Sequence, residues 1–198
     1  LGTCWIGCII DHSPGPLLAV QATQEMAKRL SKQRLESMLQ ETPCLRDKVA
    51  PAKARDSDNT MFSKSFPGGI MLLTGANSAT GLRSAPCRYL FMDEIDSFPG
   101  DIENEGDPCA LAEKRTTTFS RRKILLTSTP TIKNFSRIEA EYLASDQRLY
   151  YVPAPCCGAM QPLRFKNLKY EDNDPSTVEY ECEECKERFK EVHKTSML

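Results

Sequence analysis

The residues best suited to carry chemistry are two adjacent carboxylates, Asp93 and Glu94, which end the apolar run Tyr89-Leu90-Phe91-Met92. A short continuous hydrophobic run reads as a strand buried on both faces of a parallel sheet. In open α/β sheets ligands sit beyond the carboxyl ends of such strands, where both acids would emerge. The string therefore reads as a Walker B strand. Asp93 would hold Mg²⁺, directly or through water, and Glu94 would orient the water that attacks a nucleotide phosphate. A core strand followed by a solvated acidic turn has the same spelling, so these residues alone leave both readings open.

A second apolar run, Leu125-Leu126-Thr127, also ends in small polar residues, Ser128-Thr129-Pro130. Hydroxyls at the end of a strand beside a Walker B strand can sense a terminal phosphate, so Ser128 and Thr129 are candidates for coupling hydrolysis to movement. An ordinary turn would look the same; the acidic strand upstream favours the functional reading. A third stretch, Gly75-Ala76-Asn77-Ser78-Ala79-Thr80-Gly81-Leu82-Arg83-Ser84, joins small residues that permit close backbone approach to an arginine with a planar fork of donors. In a ring of subunits Arg83 could act on a neighbour's site as an arginine finger. A flexible loop with a solvated arginine is the plainer alternative.

Nine cysteines in a chain without a signal peptide point to a reducing cytoplasm rather than a disulfide scaffold. Cys4, Cys8, Cys44, Cys87 and Cys109 lie in apolar or helical contexts. Cys182-Glu183-Glu184-Cys185 is a C-x-x-C knuckle, and Cys156-Cys157-Gly158 lies upstream at a separation compatible with a zinc ribbon. Such a Zn²⁺ would be structural, since four protein ligands leave no open position. Adjacent cysteines rarely share one tetrahedral metal, because the chain must fold back sharply.

These groups need a scaffold. The length, 198 residues, suits one domain plus a small appendage, and the hydrophobic content of 40% is ordinary for a globular chain. No stretch is long and apolar enough to cross a membrane. The net charge of −1 provides no global field for nucleic acid, so any DNA contact must come from local patches such as Arg121-Arg122-Lys123. A helix is expected from Leu1 to Asp11, stopped by His12-Ser13-Pro14-Gly15-Pro16, then a strand at Leu17-Leu18-Ala19-Val20. Thr23 should cap an amphipathic helix with Met26, Leu30, Met38 and Leu39 inward. Residues 43–64, including Asp56-Ser57-Asp58-Asn59, read as a polar surface excursion with at most one short strand. Further strands are expected at Ile70-Met71-Leu72-Leu73 and over Lys123–Leu126, with helices over Pro108–Phe119 and Ser136–Ala144, the last capped by Ser136. Strands alternating with helices predict an α/β fold, a mostly parallel sheet flanked by helices over residues 1–150. Residues 151–198 have too little apolar content for a core and need a staple.

The collinear strings Leu18–Thr23, Leu73-Thr74-Gly75-Ala76-Asn77-Ser78, Met92–Asp96, Asp101–Asp107 and Ser128-Thr129-Pro130-Thr131 resemble the large subunit of tailed-phage terminases of the lambda-like GpA family. The resemblance spans nearly the whole chain and implies an ATPase with a P-loop NTPase core that packages viral double-stranded DNA. ATP and Mg²⁺ are the implied cofactors. The implied partners are the DNA, the terminase small subunit, the procapsid portal and further copies of the chain, in the host cytoplasm and away from membranes. The family's phosphate-binding loop would precede Leu1, since no lysine-bearing glycine loop occurs here, and the nuclease domain that cuts DNA would follow Leu198. The fragment alone should therefore not hydrolyse ATP. Relatives carry Pro where Ala22 stands, and Cys where Ala154 stands in the first knuckle. Cys156 could take the vacant ligand role, His193 could complete a three-thiolate site, or zinc could be lost. A superfamily 2 helicase-like core shares the order of motifs, and a non-catalytic zinc-ribbon DNA-binding or assembly remnant of a prophage is the non-enzymatic alternative.

Overall fold

Four apolar runs become parallel strands of one sheet: β1 (Leu17–Gln21), β3 (Gly69–Gly75), β4 (Tyr89–Asp93) and β5 (Lys123–Thr127). The computed structural model describes residues 1–49, 59–172 and 174–197; the part of the expected surface excursion at residues 50–58 lies outside the described residues. A fifth strand, β2 (Ser63–Phe66), joins antiparallel to β3, and the order across the sheet is β2-β3-β1-β4-β5. The result is a mixed α/β fold with a mostly parallel sheet. The chain divides into two units, Leu1–Tyr142 and Leu143–Leu198.

Alternation along the central strands sends side chains to both faces. Leu17, Ala19, Tyr89 and Phe91 enter one core with Ile6, Ile9 and Ile10 of α1 (Gly2–His12). Leu18, Val20, Leu90 and Met92 enter the other, with Ala79 and Leu82 of α5 (Ala79–Arg83) and Ala112 of α6 (Pro108–Glu113). Burial on both sides is why these strands read as unbroken apolar runs.

The helix after β1 runs through α2 (Gln24–Arg29), a π-helical turn (Leu30–Leu35) and α3 (Glu36–Glu41), and α4 (Pro43–Arg46) follows with Leu45 buried, where a polar surface excursion was expected. The Thr23 hydroxyl caps α2, accepting from the Met26 N–H at 3.2 Å. At the end of the wide turn the Glu36 N–H reaches the Ser31 carbonyl, five residues back. Of the expected inward residues Leu30 and Leu39 are buried and Met38 packs against the core, but Met26 is 37% exposed and its turn buries Ala27 instead. Beyond, where the π-helical turn adds a residue, a single 3.6-residue period no longer holds and Leu35 is buried as well.

The start of α2 lies hard against the end of β3. A Cβ on Gly75 would stand 2.3 Å from the Gln24 backbone nitrogen. Gly75→Ala should therefore cost about 1–3 kcal/mol, read as a lowered midpoint in thermal unfolding; an unchanged midpoint would show that the contact yields freely.

On the other face, Pro108–Phe119 is not helical throughout. It is α-helical to Glu113 and tightens into a 3₁₀ turn over Lys114–Thr116. The Thr116 and Thr117 hydroxyls bond back to the carbonyls of Glu113 and Lys114, a local alternative to continued helix. α7 (Arg137–Ala144) begins with the Ser136 hydroxyl accepting from the Glu139 N–H at 3.2 Å.

Within the second unit, β6 (Tyr151–Pro153) pairs with β7 (Met160–Pro162), and β8 (Leu168–Glu171), β9 (Asp174–Glu181) and β10 (Arg188–Phe189) form an antiparallel sheet in the order β10-β9-β8. Its buried cluster is small: Val152, Ala154, Tyr180, Cys182, Phe189 and Met197.

Candidate active site

The register of the sheet sets three polar side chains at the carboxyl ends of β1, β4 and β5. Asp93 stands opposite Thr127, whose hydroxyl donates to Asp93 Oδ1 at 2.6 Å. From the other side the amide of Gln21, only 5% exposed, donates to Oδ2 at 3.3 Å. Both carboxylate oxygens are thus held by neighbours on flanking parallel strands, which fixes the direction of the acid. Glu94, the next residue, sits in left-handed backbone (φ 58°, ψ 48°). That conformation costs a non-glycine residue about 1–3 kcal/mol.

Asp93 and Glu94 line a cavity of about 290 Å³ together with Gln21, Arg29, Gln33 and Arg34. The last three stand on the helix after β1, and no motif in the sequence singles them out. Thr127 and Gln21 lie within recognised strings, yet only the strand register shows that they hold Asp93.

Asp96 ties the loop after β4 to the loop after β5. Its carboxylate accepts from the Thr131 N–H at 3.0 Å, the Thr131 hydroxyl at 3.1 Å and the Ile138 N–H at 2.9 Å. Burial acts to raise its pKa, but the Ser136 hydroxyl and these donors outweigh that and hold it down at about 2. Its own N–H donates to the Ser128 hydroxyl oxygen at 3.1 Å. Ser128 is thereby linked to the corner that carries Glu94, whereas Thr129 is exposed.

Arg83 is not among the residues lining the cavity. Its guanidinium pairs with Glu105 at 2.7 Å. The acidic run around Glu105 has structural partners too. Asp101 accepts from the N–H groups of Asn104 and Gly106, and Asp107 caps α6 through the Ala110 N–H. Arg137 clamps this loop, donating to the carbonyls of Ile95, Phe98 and Pro99 and pairing with Asp107 at 3.1 Å. Gly81, expected to let backbone approach a ligand, instead makes room for Thr74, whose hydroxyl would stand 2.0 Å from an added Cβ.

This constellation is accompanied by sequence similarity along the chain's full length. Residues 1–198 match the family described as phage terminase large subunit gpA, ATPase domain. The chain belongs to this family. It is 31% identical over 182 residues to the terminase large subunit of Enterobacteria phage P21, and 29% identical over 182 residues to that of Escherichia phage lambda. Each alignment covers 88% of this chain and 28% of the relative, so the chain spans little more than a quarter of the length of these relatives. Among solved structures, the large terminase of a thermophilic bacteriophage matches with a TM-score of 0.52 at 16% identity, over 72% of this chain and 33% of that one. The large terminase ATPase domain of Thermus phage P74-26 matches with a TM-score of 0.50 at 15% identity, over 81% and 65%. Both show the same fold.

In the second unit, all four thiols expected to bind metal come together. The sulfurs of Cys156, Cys157, Cys182 and Cys185 lie within 4.8 Å of one another. Cys156 Sγ is 3.3 Å from Cys185 Sγ and 4.0 Å from Cys157 Sγ, and Cys157 Sγ is 3.7 Å from Cys182 Sγ. The sharp reversal that adjacent ligands require is supplied by a turn in which the Gly158 N–H bonds to the Ala154 carbonyl and Gly158 takes φ 73°. Ala154 is buried in the small core, and His193 is not part of the cluster.

Proposed function

We propose that this chain is the central part of an ATPase that drives double-stranded viral DNA into a procapsid, within a longer protein that also cuts DNA. The observation that carries the reading is the Asp93 carboxylate, oriented by Gln21 and Thr127 beside Glu94 at the mouth of a polar cavity. The donor set suits a hard divalent cation: Asp93 would hold Mg²⁺, which neutralises the charge of the ATP phosphates. Glu94 would take the water's proton and direct its oxygen at the terminal phosphate. Ser128, hydrogen-bonded to the backbone of Asp96, would pass the change at that corner to the β5 loop. Thr129 follows it on the same loop. In a homo-oligomer Arg83 would have to exchange Glu105 for a neighbour's phosphate.

A packaging role would bring the longer protein together with a terminase small subunit and a procapsid portal in the host cytoplasm. Among the described residues no helix is long and apolar enough to cross a membrane. The reading is tested by steady-state ATP hydrolysis of the full-length protein with and without duplex DNA. DNA-stimulated turnover is expected, and a folded protein without turnover would sink the proposal.

The thiol cluster suits Zn²⁺. A tetrahedron with Zn–S bonds of about 2.3 Å has edges of about 3.8 Å; three of the six sulfur separations, 3.3, 3.7 and 4.0 Å, fall around that value, and all lie within 4.8 Å. The metal would supply the staple that the small core of the second unit lacks. Cys182→Ser should reduce bound zinc from about one per chain to a small fraction, measured by elemental analysis. It should also expose residues 151–190 to proteolysis while the first unit stays resistant. Undiminished zinc in that variant would exclude the site.

A further inference from the structure

Glu94 meets the cavity through a left-handed backbone conformation, φ 58° and ψ 48°, which persists in a non-glycine residue only where the surroundings over-determine it. The 3₁₀ turn Ile95–Ser97 supplies part of that constraint. The Ser97 N–H donates to the Glu94 carbonyl at 2.9 Å and the Phe98 N–H to the Ile95 carbonyl at 3.1 Å, while the Ile95 and Phe98 side chains are buried. A single side chain then grips the turn from outside. The Arg137 guanidinium donates to the carbonyls of Ile95 at 3.1 Å, Phe98 at 2.8 Å and Pro99 at 2.7 Å. Its charge is met by Asp107 at 3.1 Å. Arg137 is also the first residue of α7, at the positive end of the helix dipole, where a cation is unfavourable. These partners offset that cost. Arg137 itself does not line the cavity.

We infer that Arg137 is a positioning residue for hydrolysis: it locks the loop from Ile95 to Pro99 and thereby holds Glu94 in the left-handed corner that sets it on the cavity wall. The assignment rests on the hydrolysis reading above. Three carbonyls converging from one turn suit a guanidinium, whose donors lie in a fixed planar fork, better than the point charge of a lysine on a flexible stem. The neighbouring residue of α7 secures the same loop, since the Ile138 N–H donates to the Asp96 carboxylate at 2.9 Å. Without the guanidinium the turn loses the donor common to its three carbonyls, and the backbone at Glu94 is free to relax towards the ordinary right-handed region. The carboxylate would then move off the line of the water it directs. A displacement of about 1 Å in such a group costs about 10²-fold in rate.

The test is a double-mutant cycle in steady-state ATP hydrolysis by the full-length protein with duplex DNA. Arg137→Gln should lower kcat about 10–10²-fold and leave KM for ATP within about twofold. In the Glu94→Gln background, where no base remains to be positioned, the same substitution should change the residual rate by less than about twofold. Circular dichroism melts establish that each variant is folded. Should Arg137→Gln not fold, Arg137→Lys keeps the charge opposite Asp107 without the planar fork and takes its place in the cycle; its loss of kcat should again vanish in the Glu94→Gln background. A lowered melting midpoint with wild-type kcat overturns the inference, because the grip would then be structural alone. So does an equal loss in both backgrounds, or a raised KM at unchanged kcat, which would make Arg137 a contact of the nucleotide. Wild-type turnover in Glu94→Gln sinks the hydrolysis reading and the inference with it, whereas a silent Arg137→Gln beside a slow Glu94→Gln overturns the inference alone.

Discussion

Glu94→Gln in the full-length protein should bind ATP as the wild type does and turn it over at least about 10²-fold more slowly. The amide keeps the size and the hydrogen-bonding reach of the carboxylate but cannot accept the water's proton, and a positioned general base contributes about 10²–10⁴ to rate. The geometry makes the effect specific to this acid. Asp93 is held on both oxygens by Gln21 and Thr127, so it is the fixed member of the pair. Glu94 has no such hydrogen bond among the described residues and leaves β4 through a left-handed corner into the cavity. Single-turnover hydrolysis with a separate binding titration distinguishes lost chemistry from lost affinity. Wild-type turnover would remove Glu94 from the mechanism, and loss of binding alone would make it a ligand rather than a base.

The second large effect is expected at Asp96. One carboxylate there accepts from two N–H groups and a hydroxyl across the β5 loop and the start of α7. Asp96→Asn sets an amide NH₂ against donors that need an acceptor, and should cost about 2–3 kcal/mol. A melt should show this as a midpoint lowered by roughly 5–10 °C. Acid dependence provides an independent check. The folded pKa, about 2, lies below the unfolded value near 3.9. The group therefore stabilises the fold fully above about pH 4 and loses that contribution as pH falls towards 2, a change of about 1–2 kcal/mol once solvent screening is allowed for. The difference in stability between wild type and Asp96→Asn should shrink over that interval. A constant difference would mean that the asparagine acts by shape alone.

Much of this scaffold was legible because burial on both faces fills the central strands β1 and β4 with apolar residues up to their polar ends, and β3 and β5 carry shorter apolar runs of the same kind. β2 was not legible. Its string Ser63-Lys64-Ser65-Phe66 hides a buried lysine that bonds to the Thr60 carbonyl and lies 3.9 Å from Glu36, a tertiary arrangement without local signature. The π-helical turn was equally silent, and with it the presence of Arg34 beside Arg29 on the cavity lining. The acid pair was visible as an abrupt change from apolar to charged. Its supports Gln21 and Thr127 were not, because they are neighbours only across strands distant in sequence. The string from Gly75 to Arg83 illustrates the opposite error. Its small residues look like ligand-approach positions, but Gly75 and Gly81 answer to the packing of Gln24 and Thr74. At the cysteines, the Ala154–Gly158 turn shows what spacing could not, that the sulfurs of two adjacent residues fall in one cluster with those of Cys182 and Cys185.

β5 is the last strand of the sheet among the described residues, and its outer row of backbone donors and acceptors meets no partner strand there. Ile124, at the outset of that strand, is 36% exposed. An open parallel edge with an apolar side chain is a template on which another strand can add. In a concentrated solution of this polypeptide, self-association should begin along Lys123–Thr127, and a charged residue in place of Ile124 should raise the concentration at which turbidity appears.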